Sequence, residues 1–457
     1  MNESSSQVTK FNPFTREILY RHSQSSIIDL VKTIQKSNKS FLDWKTSNFD
    51  DRLSLLEKIM EHYLLKKNEI ILSESLDQGL CIDFSEKANF EIGLQNLKKL
   101  QQELIHQRDH ADTNKIFSAT GVVAVVLSWN LSNRLFIEKV LSALLAGNTV
   151  IVKVSSTAVS TAIYWKEILQ SAGMLDGLIQ FVVSDAADFK KLLISHPGIK
   201  ALSVTGSLVT CANILKAQGE TAEQQFKKIQ LASGTKNTCL VLDAPDEKKV
   251  DEVLESFLTG QGQLAWNSAR LFILEKYQGE WIEAITESLE KLKPAESVED
   301  SSRWGPIIKI QNLDKYAYYK KQALDDQAKL ISATKKSQAS QFTPALFTYD
   351  MSNCSELQQD QLNLPVFVLS AVKYGFDVPK YSNVSYYGHS ANIFSQSTPS
   401  EKITNQLDVG LISVNQWSIF KLNSFSAVKQ SAFGTQDSQI FGEFNSNVKI
   451  VSSNKNY

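Results

Sequence analysis

The sequence predicts an α/β protein built on a doubly wound parallel sheet, and three observations lead there. Between residues 121 and 205, short β-branched apolar runs alternate with stretches of helical spacing. A second series of apolar runs follows from Cys239 to the C-terminus. The 457 residues are 42% hydrophobic and 21% charged, enough to bury a sizeable core without disulfides.

In chain order, Ile27–Trp44 and residues 53–65 carry apolar side chains at helical spacing, so the first third reads as helices. Residues 122–127 are apolar without interruption, as a strand buried on both faces requires. Residues 136–146 read as a helix stopped by Gly147 and Asn148, and Thr149–Lys153 as the next strand. Residues 155–157 are expected to cap a helix that runs to about Ala172. Residues 178–183 and Ala201–Thr205 continue the strands. Such a sheet gathers ligands at the C-terminal ends of its strands, where loops and helix N-termini converge. In the second half, residues 240–243, 270–274, 345–347, 366–369 and 411–415 read as strands, and 246–258 as a helix. Residues 448–451 form a terminal strand that needs a neighbouring sheet or subunit to pair with.

Composition excludes several functions. The 48 basic and 49 acidic residues leave a net charge of −1, which argues against a nucleic-acid or anionic-membrane surface. The cysteines Cys81, Cys211, Cys239 and Cys354 form no CxxC pair, so neither a disulfide scaffold nor a zinc site is expected. The polar N-terminus shows no apolar signal segment, and no run approaches the roughly 20 apolar residues of a membrane span. A cytoplasmic setting is the expectation.

Three motifs invite chemistry. GQGQLA at 260–265 matches GxGxxG/A, but it follows a helix and precedes a strand, the reverse of a dinucleotide fingerprint. His106 and His110 share a helix face with no third ligand, so they read as an exposed pair rather than a metal site. Thr205-Gly206-Ser207 joins a strand to a helix N-terminus, a turn that suits either a phosphate or an ordinary N-cap.

Taken in order, the strings of this chain resemble the aldehyde dehydrogenase superfamily. SWN at 128–130 and LLAGNTVIVK at 144–153 match family segments, as do His196-Pro197 and VTGS at 204–207. SGTKN at 233–237, GQGQ at 260–263, WGP at 304–306, KQSAFG at 429–434 and the stretch from Glu443 to Lys449 follow in family order. The resemblance implies a Rossmann-type dinucleotide-binding domain over 1–100 and 121–232. It also implies an α/β catalytic-type domain over 233–439 and a bridging, oligomerising segment over 101–120 and 440–457, short and irregular in its first part. It further implies NAD or NADP as cofactor, an aldehyde as substrate and a homo-oligomer, dimer or tetramer, whose terminal strand joins a partner subunit. Family contacts to ribose and phosphate carry over to Trp129, Lys153, Gly206 and Ser207, and the oxyanion donor to Asn130.

The departures are chemical. The resemblance places Ala265 where the family has its nucleophilic cysteine, with bulky Trp266 after it, and Ala232 where it has the general base. A methyl group can neither attack a carbonyl nor accept a proton. Gln361 replaces the carboxylate that grips the nicotinamide ribose, and Asn363 the aromatic behind the ring. Ser156 replaces the carboxylate for the adenosine ribose, which removes a partner for its hydroxyls and tolerates a 2′-phosphate. Cys211 replaces a glycine and is expected near the dinucleotide, whereas Cys239 is expected buried and inert. The reading is a catalytically inactive member of the family. The alternatives are a divergent oxidoreductase with a relocated nucleophile and a non-catalytic NAD(P)-binding or protein-interaction module.

Overall fold

Two mainly parallel sheets organise the chain in this computed structural model, which describes residues 7–110, 114–223, 225–309, 312–331, 342–350, 356–420, 426–435 and 439–451. Cys354 lies outside the described residues. The first sheet runs, in spatial order, Ala432–Phe433, Lys228–Ala232, Ala201–Thr205, Val122–Val126, Thr149–Lys153 and Ile179–Val182, with only the first strand antiparallel. Chain order runs outward in both directions from Val122–Val126, so the switch point lies between it and Ala201–Thr205. The second sheet runs Lys329–Leu330, Ala345–Thr348, Val366–Val372, Ser268–Leu274, Asn237–Val241, Ser390–Phe394 and Leu411–Val414.

Strand alternation fills both faces of the first sheet. Val123, Val125, Val150 and Val152 join one apolar cluster, and Val122, Ala124 and Ile151 join the cluster on the opposite face. This explains the unbroken apolar run in the sequence. Helix Ile27–Trp44 starts with a capping box in which Ser26 and Asp29 satisfy each other's backbone N–H groups, and Asn48 caps Phe49–Leu65.

Several expectations are corrected. The chain opens with a hairpin, Gln7–Phe11 against Ile18–Ser23, before the helices begin. The helix expected over 136–146 starts at Ser132 and contains a π turn over Phe136–Leu141. Its polar start, Ser132-Asn133-Arg134, is buried, which hid it in the sequence. Residues 155–157 do not cap the next helix. They form a local turn in which the Ser155 hydroxyl accepts from Thr157 N–H, and the helix is Ser160–Ser171 with no side-chain cap. The strand expected over 240–243 is Asn237–Val241. The stretch 101–120 is regular where described. Helix Ile92–Asp109 occupies its first half, and strand Lys115–Ala119 pairs antiparallel with the terminal strand Ser446–Ile450. That terminal strand therefore finds its neighbour within its own chain. No described helix is long and apolar enough to cross a membrane.

Helix Lys67–Gln78 carries a buried polar network toward the first sheet. Glu74 accepts from Thr161, Tyr164 and Gln78 side chains at 2.5–2.8 Å and from Asn133 N–H at 3.3 Å. The Gln78 side-chain Oε1 accepts from Leu131 N–H at 2.8 Å. Burial outweighs these donors and pushes the Glu74 carboxyl up to about 7. A carboxyl raised on folding favours the folded state most fully below the unfolded value, and that contribution is lost as pH rises through about 7. The unfolding free energy of the parent is thus expected to fall, relative to Glu74→Gln, by on the order of 3 kcal/mol between pH 4.5 and 8. Urea titrations of both proteins at the two pH values measure this. Parallel pH profiles would refute it.

Candidate active site

A cleft opens between the C-terminal edge of the first sheet and the N-terminal edge of the second. Two loops come from the first sheet: Leu127–Leu131 after Val122–Val126, and Gly206–Ser207 after Ala201–Thr205. Ser233–Lys236, Ala265–Trp266, Gln361–Leu364 and His389 enter from the second sheet, each just before a strand. The cleft has two chambers of about 130 and 370 Å³ that share Ser128, Asn130, Thr205, Ser233 and Ala265.

Asn130, Ala232 and Ala265 all line the smaller chamber. The Asn130 amide nitrogen donates to the Gln263 carbonyl at 3.2 Å, and its oxygen accepts from the Ser128 hydroxyl at 2.9 Å. Ala232 ends its strand, and its carbonyl accepts from Gly206 N–H at 3.0 Å. Arg134 closes the far wall. It pairs with Glu138 at 2.9 Å, donates to the Ile419 carbonyl and stands 5.0 Å over the Trp266 ring. Glu138 is the one carboxylate among the described lining residues of this chamber, and Arg134 and Asn96 both donate to it at 2.9 Å. His389 packs edge-on to Trp266, and burial, then Arg134, pushes its imidazole down to about 3, so it is neutral.

Trp129, Gly206, Ser207 and Gln361 line the larger chamber. Ser207 caps helix Leu208–Glu220, so the N-terminal turn of that helix borders the chamber. Lys309, Asn312 and Lys315 line it too, though nothing in their local sequence singled them out, and its described lining includes no carboxylate. Gln361 donates to Asn363 at 3.0 Å and to Thr235 at 3.4 Å.

Lys153 and Ser156 are not brought into either chamber lining. Lys153 is buried rather than solvated, its ammonium 3.6 Å from Asp185 and bonded to the Val154 carbonyl. The Ser156 hydroxyl also hydrogen-bonds Asp185. A carboxylate therefore stands beside Ser156, supplied by the loop after Ile179–Val182. Burial raises the Asp185 carboxyl, but Ser156 and Lys153 more than offset it, leaving it below the usual range.

No cysteine lines either chamber among the described residues. Cys211 sits behind Ala232, its Sγ 3.9 Å from that carbonyl, with burial pushing the thiol up to about 11. Cys239 is fully buried in the second sheet and its thiol is raised strongly. His106 and His110 stack on an exposed helix end.

Residues 1–451 match the profile of the Aldehyde dehydrogenase family. The chain belongs to that family. A 2-aminomuconic semialdehyde dehydrogenase of Danio rerio is 24% identical over 463 residues, covering 97% of this chain and 94% of the relative. The crystal structure of an aldehyde dehydrogenase of Mycobacterium tuberculosis complexed with NAD+ superposes with a TM-score of 0.88 at 18% identity, covering 100% and 96% of the two chains. A glyceraldehyde-3-phosphate dehydrogenase of Methanocaldococcus jannaschii complexed with NADP gives 0.85 at 21% identity, covering 99% of each.

The aldehyde dehydrogenase fold of this chain holds its 259–267 loop by backbone strain and buried amide side chains, Asn267 foremost. Gly260, Gln261 and Gly262 all take left-handed φ of 64, 53 and 68°. A Cβ on Gly262 would meet the Leu364 carbonyl at 2.6 Å, so no other residue fits there. Asn267 accepts from Leu264 N–H at 2.8 Å and donates to the Ser256 and Thr259 carbonyls at 3.0 Å. Asn267→Ala is expected to destabilise the protein by roughly 2–4 kcal/mol, because these buried groups lose their partner together. Denaturant unfolding of the variant checks this, and a loss under about 0.5 kcal/mol would refute it.

Proposed function

We propose that this member of the aldehyde dehydrogenase family does not oxidise aldehydes and retains its cleft for binding a dinucleotide. One observation carries the reading: Ala232 and Ala265 line the same chamber as Asn130, and no described thiol lines it. Asn130 alone can orient a carbonyl oxygen but cannot form or break a bond to its carbon. Glu138 does not substitute as a base, because Arg134 and Asn96 both donate to its Oε1 and tie the carboxylate to the chamber wall. Losing the nucleophile of a covalent mechanism costs about 10⁶ in turnover.

The larger chamber fits a dinucleotide. Its described lining has two lysines and no carboxylate, and the start of helix Leu208–Glu220 borders it, an arrangement suited to a pyrophosphate. Trp129 and Ser207 would flank the group, Lys315 and Gln361 its nicotinamide end, and Asp185 beside Lys153 the adenosine ribose. When bound, such a group supplies a hydride acceptor. Asp185 accepts from ribose hydroxyls and repels a 2′-phosphate, which favours NAD over NADP.

A panel of aldehydes with NAD+ or NADP+ is expected to yield no NADH or NADPH in proportion to added protein. Ala265→Cys with Ala232→Glu is not expected to restore ordinary rates, because Trp266, Gln361 and Asn363 also differ from the family pattern. Sustained turnover by the parent chain would overturn the reading, and full activity in the double variant would show the rest of the site intact. Calorimetric titration is expected to find NAD+ bound more tightly than NADP+, with Asp185→Asn narrowing the difference by about tenfold. An unchanged ratio in that variant would remove Asp185 from the nucleotide site.

A further inference from the structure

Beside the two chambers lies a smaller cavity of about 20 Å³, lined in part by Lys236, Thr235, Gln361 and Asn363. It is roughly the size of one water or one carbonyl group. Thr235 also lines the smaller chamber, and Gln361, Leu362 and Asn363 also line the larger one, so the cavity borders both. Lys236 is 3% exposed. Its ammonium makes no hydrogen bond and no ion pair within 4 Å among the described residues.

A buried lysine without a partner is unusual, since an ammonium out of water needs compensation. The charged groups acting on Lys236 are Arg270 and Lys315, which repel its cation, and Asp360, which attracts it from beyond ion-pair distance. Burial first, and then Arg270, pull the ammonium down to about 7. Much of it is therefore free amine at neutral pH. An exposed lysine stays almost wholly protonated there, and a protonated amine is no nucleophile.

We propose that Lys236 is an aldehyde-capturing amine, forming a reversible Schiff base with a small aldehyde whose carbonyl enters this cavity. The amine lone pair forms a C–N bond to the carbonyl carbon, and the C=O π pair moves to oxygen. A proton passes from nitrogen to that oxygen to give a carbinolamine. The hydroxyl then departs with a second proton as one water, leaving C=N. No electrons are exchanged, so no oxidant is required. Thr235 and Gln361 line the cavity and offer hydrogen bonds to the carbonyl oxygen. The inference rests on the non-oxidising reading in one respect: no thiol in the chamber consumes the aldehyde before it reaches the amine.

The test is reductive trapping on the full chain. Acetaldehyde with cyanoborohydride at pH 7, followed by peptide mapping, is expected to N-ethylate Lys236 at least about tenfold faster than Lys248. The Lys248 side chain is 86% exposed and serves as the internal reference. Labelling of Lys236 no faster than Lys248 would overturn the proposal. Lys236→Met is expected to remove the fast, saturable phase, and if that variant fails to fold, the comparison within the parent chain still decides. NADH absorbance read in parallel with NAD+ present separates the two readings. NADH formation would sink the non-oxidising reading, whereas slow labelling without NADH would sink only the Schiff base.

Discussion

The cleft depends on a hydrogen-bonded brace that lies outside it. Glu74 and Gln78, one turn apart on helix Lys67–Gln78, accept from the N–H groups of Asn133 and Leu131. Those N–H groups belong to the turn that follows Asn130, where Leu131 takes a left-handed φ of 50°. A left-handed leucine is costly, and it persists only where its surroundings fix it. The Gln78 amide supplies that constraint, and Asn133 extends it by donating to Tyr63 and to the Asn89 carbonyl while accepting from Trp165. The orientation of Asn130 is thus set by a helix from the first third of the chain.

The opposite wall is built by a different device. There the chain turns through three consecutive left-handed residues, Gly260 to Gly262, and Asn267 bonds the carbonyls left open at the end of helix Glu247–Leu258. Asn237 donates to the carbonyls of Ala265 and Asn267, locking the loop to the start of the second sheet. Each wall is therefore a strained backbone segment held by buried amide side chains. Asn130 bridges the two when it donates to the Gln263 carbonyl.

Much of the first sheet was legible because its strands are buried on both faces and need no polar alternation, as 122–127 and Thr149–Lys153 show. The GQGQLA string was separable from a dinucleotide fingerprint by order alone, and it does lie between helix Glu247–Leu258 and strand Ser268–Leu274. Helix starts rich in buried polar residues were not legible. Ser132-Asn133-Arg134 looks like a surface loop until Glu74, Tyr63 and Glu138 are placed around it. Asp185 was not legible either, because the carboxylate that meets Lys153 comes from a loop 32 positions downstream by number, 185 against 153, and only the parallel pairing of Thr149–Lys153 with Ile179–Val182 brings it there. Lys309 and Lys315 entered the cleft the same way, through tertiary placement rather than motif.

The cleft's charges are distributed differently in its two chambers. Ala232 and Ala265 give the smaller chamber two methyl groups, and Arg134 and Lys139 outnumber Glu138 among its charged lining residues. Gln361 is neutral at the border of the small cavity, where Arg270 and Lys315 repel the Lys236 cation and Asp360 attracts it. Like charges in a dry interior are relieved either by a bound anion or by loss of a proton. Arg270 cannot give one up, and it is tied to the Lys236, Thr238 and Ser382 backbone and side-chain oxygens. Lys315 is bonded to the Leu362 carbonyl. Lys236 is left as the group that yields its proton, because burial and Arg270 both disfavour its charged form.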